Sequence, residues 1–195
     1  CDRRAIGIDL SSKYIDTYKK ATAFLGLPEQ KTLQADCVKF LKNKTQYSKL
    51  LNNEEIDLIL IDPPYGDMMA REKTGEAGKN KKSTEATPFT DSNEDLGNMS
   101  WENFRKVFKE TVKNAISKLK IKGHLIVFIK DLQPKNGSIN LLHADLIQDI
   151  NSIDYINYIG TKIWADLSVN LYPYGYPHSY VSNQIHQYIL IFRKG

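Results

Sequence analysis

A chain of 195 residues, 41 % apolar and 26 % charged, is long enough for one domain with a sizeable core and too rich in apolar residues to be disordered. Its net charge of +4 is compatible with a polyanionic partner without requiring one. Two cysteines exclude a disulfide scaffold, and no apolar run approaches the roughly 18 residues that cross a bilayer, so no membrane is expected and a cytoplasmic setting is.

RRAIGIDL, residues 3–10, reads as a short buried strand. A helix follows, with Ile15, Tyr18, Thr22 and Leu25 at helical spacing, Ser11 or Ser12 as cap and Gly26 as stop. KTLQAD, 31–36, suits a second strand, and 37–51 a second helix carrying Val38, Leu41 and Leu50. EIDLILID, 55–62, is the clearest buried strand. The polar stretch 66–99 shows little periodicity and is expected to be a mobile insertion or a loop that touches substrate. Residues 101–120 form an amphipathic helix, capped by Ser100 and ended near Gly123, before the strand HLIVFIKD, 124–131. PKNGS is a turn and 141–153 a helix. YINYIGTKIWAD and HQYILIFRK are two late strands joined by a Tyr- and Pro-rich loop. Strands alternating with helices indicate an α/β sandwich with a mainly parallel sheet, and the helix-free connection at the end makes one late strand antiparallel. Opening on Cys1 within strand-like sequence reads as a fragment.

The strand LILI runs straight into Asp62, Pro63, Pro64 and Tyr65. In open parallel sheets ligands sit beyond the carboxyl ends of the strands, which is where Asp62 falls. Two prolines fix φ, donate no hydrogen bonds and lead the chain away as a stiff segment. The carbonyls and the Asp62 carboxylate are thereby left as acceptors, with an aromatic ring close by. That arrangement suits a planar group bearing an amine. A loop in which Asp62 only caps a neighbouring N–H is the plain alternative.

LILIDPPYG resembles the Asp-Pro-Pro-Tyr signature of S-adenosylmethionine-dependent amino-methyltransferases of DNA, the adenine-N6 and cytosine-N4 methylases. The resemblance implies a Rossmann-like methyltransferase three-layer sandwich, with a mostly parallel sheet and an antiparallel C-terminal strand. It implies that Asp62 and the Pro63 carbonyl grip the target amine, with Pro64 completing the motif, and that Tyr65 stacks on the base. RRAIGIDLSSKYID is similar to the segment in which an acidic residue, here Asp9 followed by Leu10, binds the ribose hydroxyls of S-adenosyl-L-methionine. LQADCVKFL resembles the next motif, giving Asp36 to the adenine amine and Cys37 to the ring edge. Asp62 would also adjoin the cofactor. NQIHQYILIFRKG resembles the closing hairpin of these methylases, with Gln187 where Glu is common. Asp9 and Asp36 could equally be plain helix caps.

One element of the pattern is absent: the glycine-rich cofactor loop and its strand, which the resemblance places between the strands of Asp9 and Asp62. The expectation is an N-terminally incomplete catalytic domain over 1–195, its loop lying upstream or on another polypeptide. REKTGEAGKNKK within 66–99 could touch phosphates, and YPYGYPHSY, 172–180, could stack on bases or mould the pocket. Lys130 and Asp131 suit the pocket lining and the surface equally, while Trp164 reads as core or rim. No metal-ligand spacing is present.

The function implied is methyl transfer to an exocyclic amine of a base flipped out of DNA, adenine N6 before cytosine N4, as in restriction-modification systems. Two alternatives stay open: an RNA (tRNA) guanine-N2 methyltransferase, and an inactive methyltransferase-like subunit that binds nucleic acid or a partner. A dimer is also left open.

Overall fold

The computed structural model describes residues 3–65, 90, 92, 95–131, 141–168 and 184–195. The expected turn at PKNGS, the loop 172–180 and most of 66–99 lie outside these. The chain divides into two compact units, Cys1–Glu54 with Tyr65–Asn114, and Glu55–Pro64 with Ala115–Gly195.

The first unit opens with β1 (Ile6–Asp9), α1 (Ser12–Phe24) and β2 (Lys31–Gln34). β1 and β2 pair in parallel, Ile6 opposite Lys31 and Asp9 opposite Gln34. Gly26 ends α1 at φ 62°, a left-handed conformation that a side chain disfavours. The cap at the other end differs from expectation. Ser11 makes no side-chain cap bond, and Asp9 Oδ1 accepts from Ser11 N at 2.7 Å instead. Leu25, spaced for burial, is 63 % exposed. The expected helix over 37–51 is two helices, α2 (Cys37–Lys42) and α3 (Lys44–Leu50). Asn43 causes the break: its backbone leaves the helical region and its Oδ1 accepts from Gln46 N at 3.1 Å, capping α3. α4 (Trp101–Ala115) starts at Ser100, whose Oγ accepts from Asn103 N at 3.4 Å. Its apolar stripe Phe104, Phe108 and Val112 is fully buried, with the Phe104 and Phe108 rings stacked at 5.1 Å.

The second unit holds a four-stranded sheet in the order β3-β4-β6-β5, made of β3 (Ile56–Ile61), β4 (Leu119–Ile129), β5 (Ile156–Ala165) and β6 (His186–Lys194). β3 and β4 are parallel; β6 runs antiparallel to both β4 and β5, in agreement with the expected antiparallel late strand. Gly123 does not stop a helix. α4 ends at Ala115, a short 3₁₀ turn covers Ile116–Lys118, and β4 then runs through Gly123. Lys122 there takes φ 65°, and a Cβ on Gly123 would lie 2.8 Å from the Lys120 carbonyl, so only glycine fits. Lys194 Nζ donates to the carbonyls of Ile116 and Leu119 at 2.9 and 2.7 Å, satisfying groups the turn leaves open. Leu125, Val127, Ile129, Leu190 and Phe192 form the core of one sheet face, with Leu146 and Ile150 of α5 (Leu142–Asn151) also buried in this unit. The other face carries Leu58 and Leu60, 50 % and 59 % exposed. β3 ends the sheet: among the described residues no strand pairs with its other side, nor with the other side of β1. Among the described residues no helix is long and apolar enough to cross a membrane.

Candidate functional site

In the second unit, β3 delivers Asp62 to the carboxyl end of the sheet. Asp62 is exposed, Pro63 buried and Pro64 half-buried. Both prolyl bonds are trans. The Asp62 carboxylate makes no hydrogen bond or ion pair among the described residues, so the capped-loop alternative is not realised there. The Pro63 carbonyl is likewise without a backbone donor among them. Partial burial pushes the Asp62 carboxyl above the ordinary aspartate range. Two neighbouring acceptors, one charged and both uncommitted, are thus fixed by a strand end and a pair of rigid rings. Tyr65, in the other unit, is 5 % exposed and makes further contacts of its own.

In the first unit, Asp9 and Asp36 come to the carboxyl ends of the paired strands β1 and β2, where Ala35 N donates to the Asp9 carbonyl at 3.0 Å. Each uses Oδ1 on a helix start: Asp9 on Ser11 N, Asp36 on Val38 N at 2.9 Å and Lys39 N at 3.3 Å. Capping therefore does not distinguish the two readings of these residues, because it uses only Oδ1 of each carboxylate. Asp9 Oδ2 has no partner among the described residues, and Asp36 Oδ2 lies 3.8 Å from Lys39 Nζ. Cys37 opens α2 directly after Asp36. Burial, then the charge of Asp36 and more weakly of Asp9, pushes its thiol above the ordinary cysteine range. Leu10 is half-buried beside Asp9.

Beyond Asp62 along the same sheet edge, β4 ends in Lys130 and Asp131. Burial lowers the Lys130 ammonium, partly opposed by Asp166. Asp131 is 5 % exposed and holds α5: Oδ1 accepts from His143 N at 3.0 Å and Oδ2 contacts His143 Nδ1 at 2.7 Å. The His143 ring stacks on Tyr188 at 4.0 Å, and His186 meets Tyr188 edge-on at 5.1 Å. Sequence reading found the end of β4 but not this group, because no local pattern links Asp131 to a histidine 12 residues on. Burial, then the charge of Asp131, raises the Tyr188 hydroxyl. No three His, Cys, Asp or Glu side chains among the described residues group to hold a metal.

Comparison with solved structures decides the architecture. TrmN from Thermus thermophilus superposes with a TM-score of 0.53 at 13 % identity, over 98 % of this chain and 36 % of that one. Another Thermus thermophilus protein, described as a DNA modification methylase and solved with S-adenosyl-L-methionine, gives 0.51 at 15 % identity, over 97 % and 56 %. A protein from Streptococcus mutans described as a SAM-dependent methyltransferase gives 0.51 at 10 % identity, over 97 % and 38 %. The chain has the Rossmann-like methyltransferase fold. Within that methyltransferase fold, β3 and β4 are parallel, and β6 is the antiparallel C-terminal strand. Among curated proteins, the ribosomal RNA large subunit methyltransferase K/L of Cellvibrio japonicus (strain Ueda107) is 38 % identical over 64 residues, 32 % of this chain. The chain spans 8 % of that relative's length and 36 % of TrmN. No family model matches it.

Proposed function

We propose that this chain is the catalytic portion of an S-adenosylmethionine-dependent methyltransferase that modifies an exocyclic amine of a nucleobase, adenine N6 in DNA before cytosine N4. The observation that carries this reading is the uncommitted acceptor pair at the end of β3, the Asp62 carboxylate and the Pro63 carbonyl. An exocyclic amine offers two N–H donors in one plane and a lone pair withdrawn into the ring. Acceptors on both hydrogens favour a more tetrahedral nitrogen and stabilise the positive charge that grows on it during attack. Held by a strand end and two prolines, they need no reorganisation as that charge develops. Asp62 acts as an acceptor, and the proton leaves the nitrogen after the N–C bond has formed.

The second carboxylate oxygens of Asp9 and Asp36 fit the nucleoside half of the cofactor: Asp9 Oδ2 for the ribose hydroxyls, and Asp36 Oδ2, shared with Lys39, for the adenine amine, with Leu10 and Cys37 lining the ring. When bound, S-adenosylmethionine supplies an electrophilic methyl whose S–C bond breaks toward sulfur as the N–C bond forms. A base in duplex DNA reaches Asp62 only by leaving the stack.

The open side of β3 and the exposed Leu58 and Leu60 support a further strand beside β3, bearing the glycine-rich cofactor loop, in polypeptide outside these 195 residues. An RNA substrate is the second reading, favoured by the identity to the ribosomal RNA methyltransferase.

The test is transfer of labelled methyl from S-adenosylmethionine onto DNA and RNA by the intact protein, followed by nucleoside analysis. Label in N6-methyladenine, lost in Asp62→Ala, is the expected result. Full incorporation by that variant, or label in RNA guanine alone, overturns the assignment.

A further inference from the structure

The outer half of β5 is open to solvent. Thr161 to Ala165 are exposed on both faces of the strand, although α5 packs on β5 and β6 nearer its start. Opposite them on β6, His186 to Ile189 are half-buried and Leu190 is fully buried, so the exposure belongs to β5 as the end strand of the sheet. A bulge at Ile159, with Gly160 at φ 156°, precedes this stretch. Trp164 lies near the carboxyl tip of β5, 55 % exposed, with no ring contact or side-chain hydrogen bond among the described residues. Lys162, two residues back on the same side, is also exposed and has no ion pair there. Among the described residues, no aromatic ring or hydrogen bond engages this indole and no ion pair engages the cation beside it.

Register relates this tip to the amine clamp. Trp164 pairs with Gln187, which shares a face with Ile189; Ile189 pairs with Phe128, which lies on the Leu60 side of the sheet that Asp62 continues. β5 and β3 point the same way, so Trp164 and Asp62 occupy one edge, three strand spacings or about 14 Å apart, a span of about four base steps.

We propose that the carboxyl tip of β5 docks duplex DNA beside the target nucleotide, with Trp164 stacking on a base and Lys162 meeting a phosphate. The inference rests on the nucleobase-amine reading above, and adds a contact a few nucleotides from the reacting base. A planar face of this kind accepts any base, so it contributes affinity more than sequence choice. Asp166 sits next to the tip, but Ser168 holds it: backbone N and Oγ both donate to Oδ1, at 3.0 and 2.6 Å.

The experiment measures duplex DNA affinity and methyl transfer with intact wild-type protein, Trp164→Ala, Trp164→Phe and Lys162→Gln. Trp164→Ala is expected to weaken DNA binding about ten-fold, with S-adenosylmethionine affinity and melting temperature unchanged. Trp164→Phe should retain most of the affinity, and Lys162→Gln should flatten the salt dependence. Wild-type activity with Trp164→Ala binding DNA equally well overturns this inference and leaves the amine assignment standing. Tryptophan emission inaccessible to quencher before DNA is added, or a dimer that Trp164→Ala dissociates without change in DNA affinity, also overturns it. A wild type that neither binds DNA nor transfers methyl removes both.

Discussion

The carboxyl group of Asp62 is held above the ordinary aspartate range by burial. A raised folded-state pKa means that the folded chain binds the proton more tightly than the unfolded one. The associated stability is complete below the ordinary aspartate pKa and is lost as pH rises through the folded value. At neutral pH the ionised side chain is therefore a small liability to the fold, which the proposed acceptor role of Asp62 would explain. Asp62→Asn should leave the melting temperature unchanged or raise it by about 1–2 °C at pH 7, with no gain at low pH, while methyl transfer falls steeply. Thermal melts at two pH values, beside a transfer assay, check both halves. A substantial loss of stability at pH 7 would place Asp62 in the structure and not in the chemistry. Asp131 is the contrasting case, a buried carboxylate with both oxygens committed to His143. Asp131→Ala leaves two donors without a partner and should cost about 2 kcal/mol, about 4–8 °C in melting temperature. Asp131→Asn, which keeps one acceptor, should lose roughly half as much.

Among the elements, β4 shows why some boundaries can be read from sequence and others cannot. Its second half, His124–Ile129, is an apolar run bounded by a charged pair, and that pattern identifies it directly. Its first half, Leu119–Gly123, carries alternating lysines that extend the helical pattern of α4 equally well. Only pairing settles it, since Ile56 lies opposite Leu119 while Leu58 lies opposite His124, so β4 bulges over residues 120–123 to keep both contacts. At Asn43 the opposite holds: periodicity continues across it, and a local cap wins. Asp9 and Asp36 are legible as site residues only through resemblance, because physical chemistry alone makes each a helix cap and the structure shows that role as well. Asp62 needs less help, since two prolines after a buried strand already exclude further pairing. The β4 bulge carries its own prediction. Gly123→Ala brings a methyl within 2.8 Å of the Lys120 carbonyl and 2.9 Å of Leu119 Cδ1, and should cost about 1–3 kcal/mol. Denaturant unfolding measures it; an unchanged midpoint would mean that the bulge relaxes freely.

Across the whole molecule, the described strands fall into a pair and a quartet, each ending on a side to which no described strand is bonded. An open strand side exposes backbone donors and acceptors, and in β3 it adjoins Leu58 and Leu60, more than half of whose surface is unburied on average. A buried-type strand sequence with an exposed flank is a mismatch between what the residues are suited to and where they sit, and one further strand with its covering helix would remove it. In these 195 residues alone, the β3 amides facing away from β4 should exchange with solvent far faster than those bonded to it, and S-adenosylmethionine should bind poorly. In a longer protein that supplies the glycine-rich segment, the same amides should become protected, and cofactor affinity should rise at least about ten-fold. Hydrogen exchange resolved to β3, measured in both forms, tests this directly. Protection of both sides of β3 in the short chain would show that these residues already complete their own sheet, and would return the cofactor site to Asp9, Asp36 and whatever this chain alone provides.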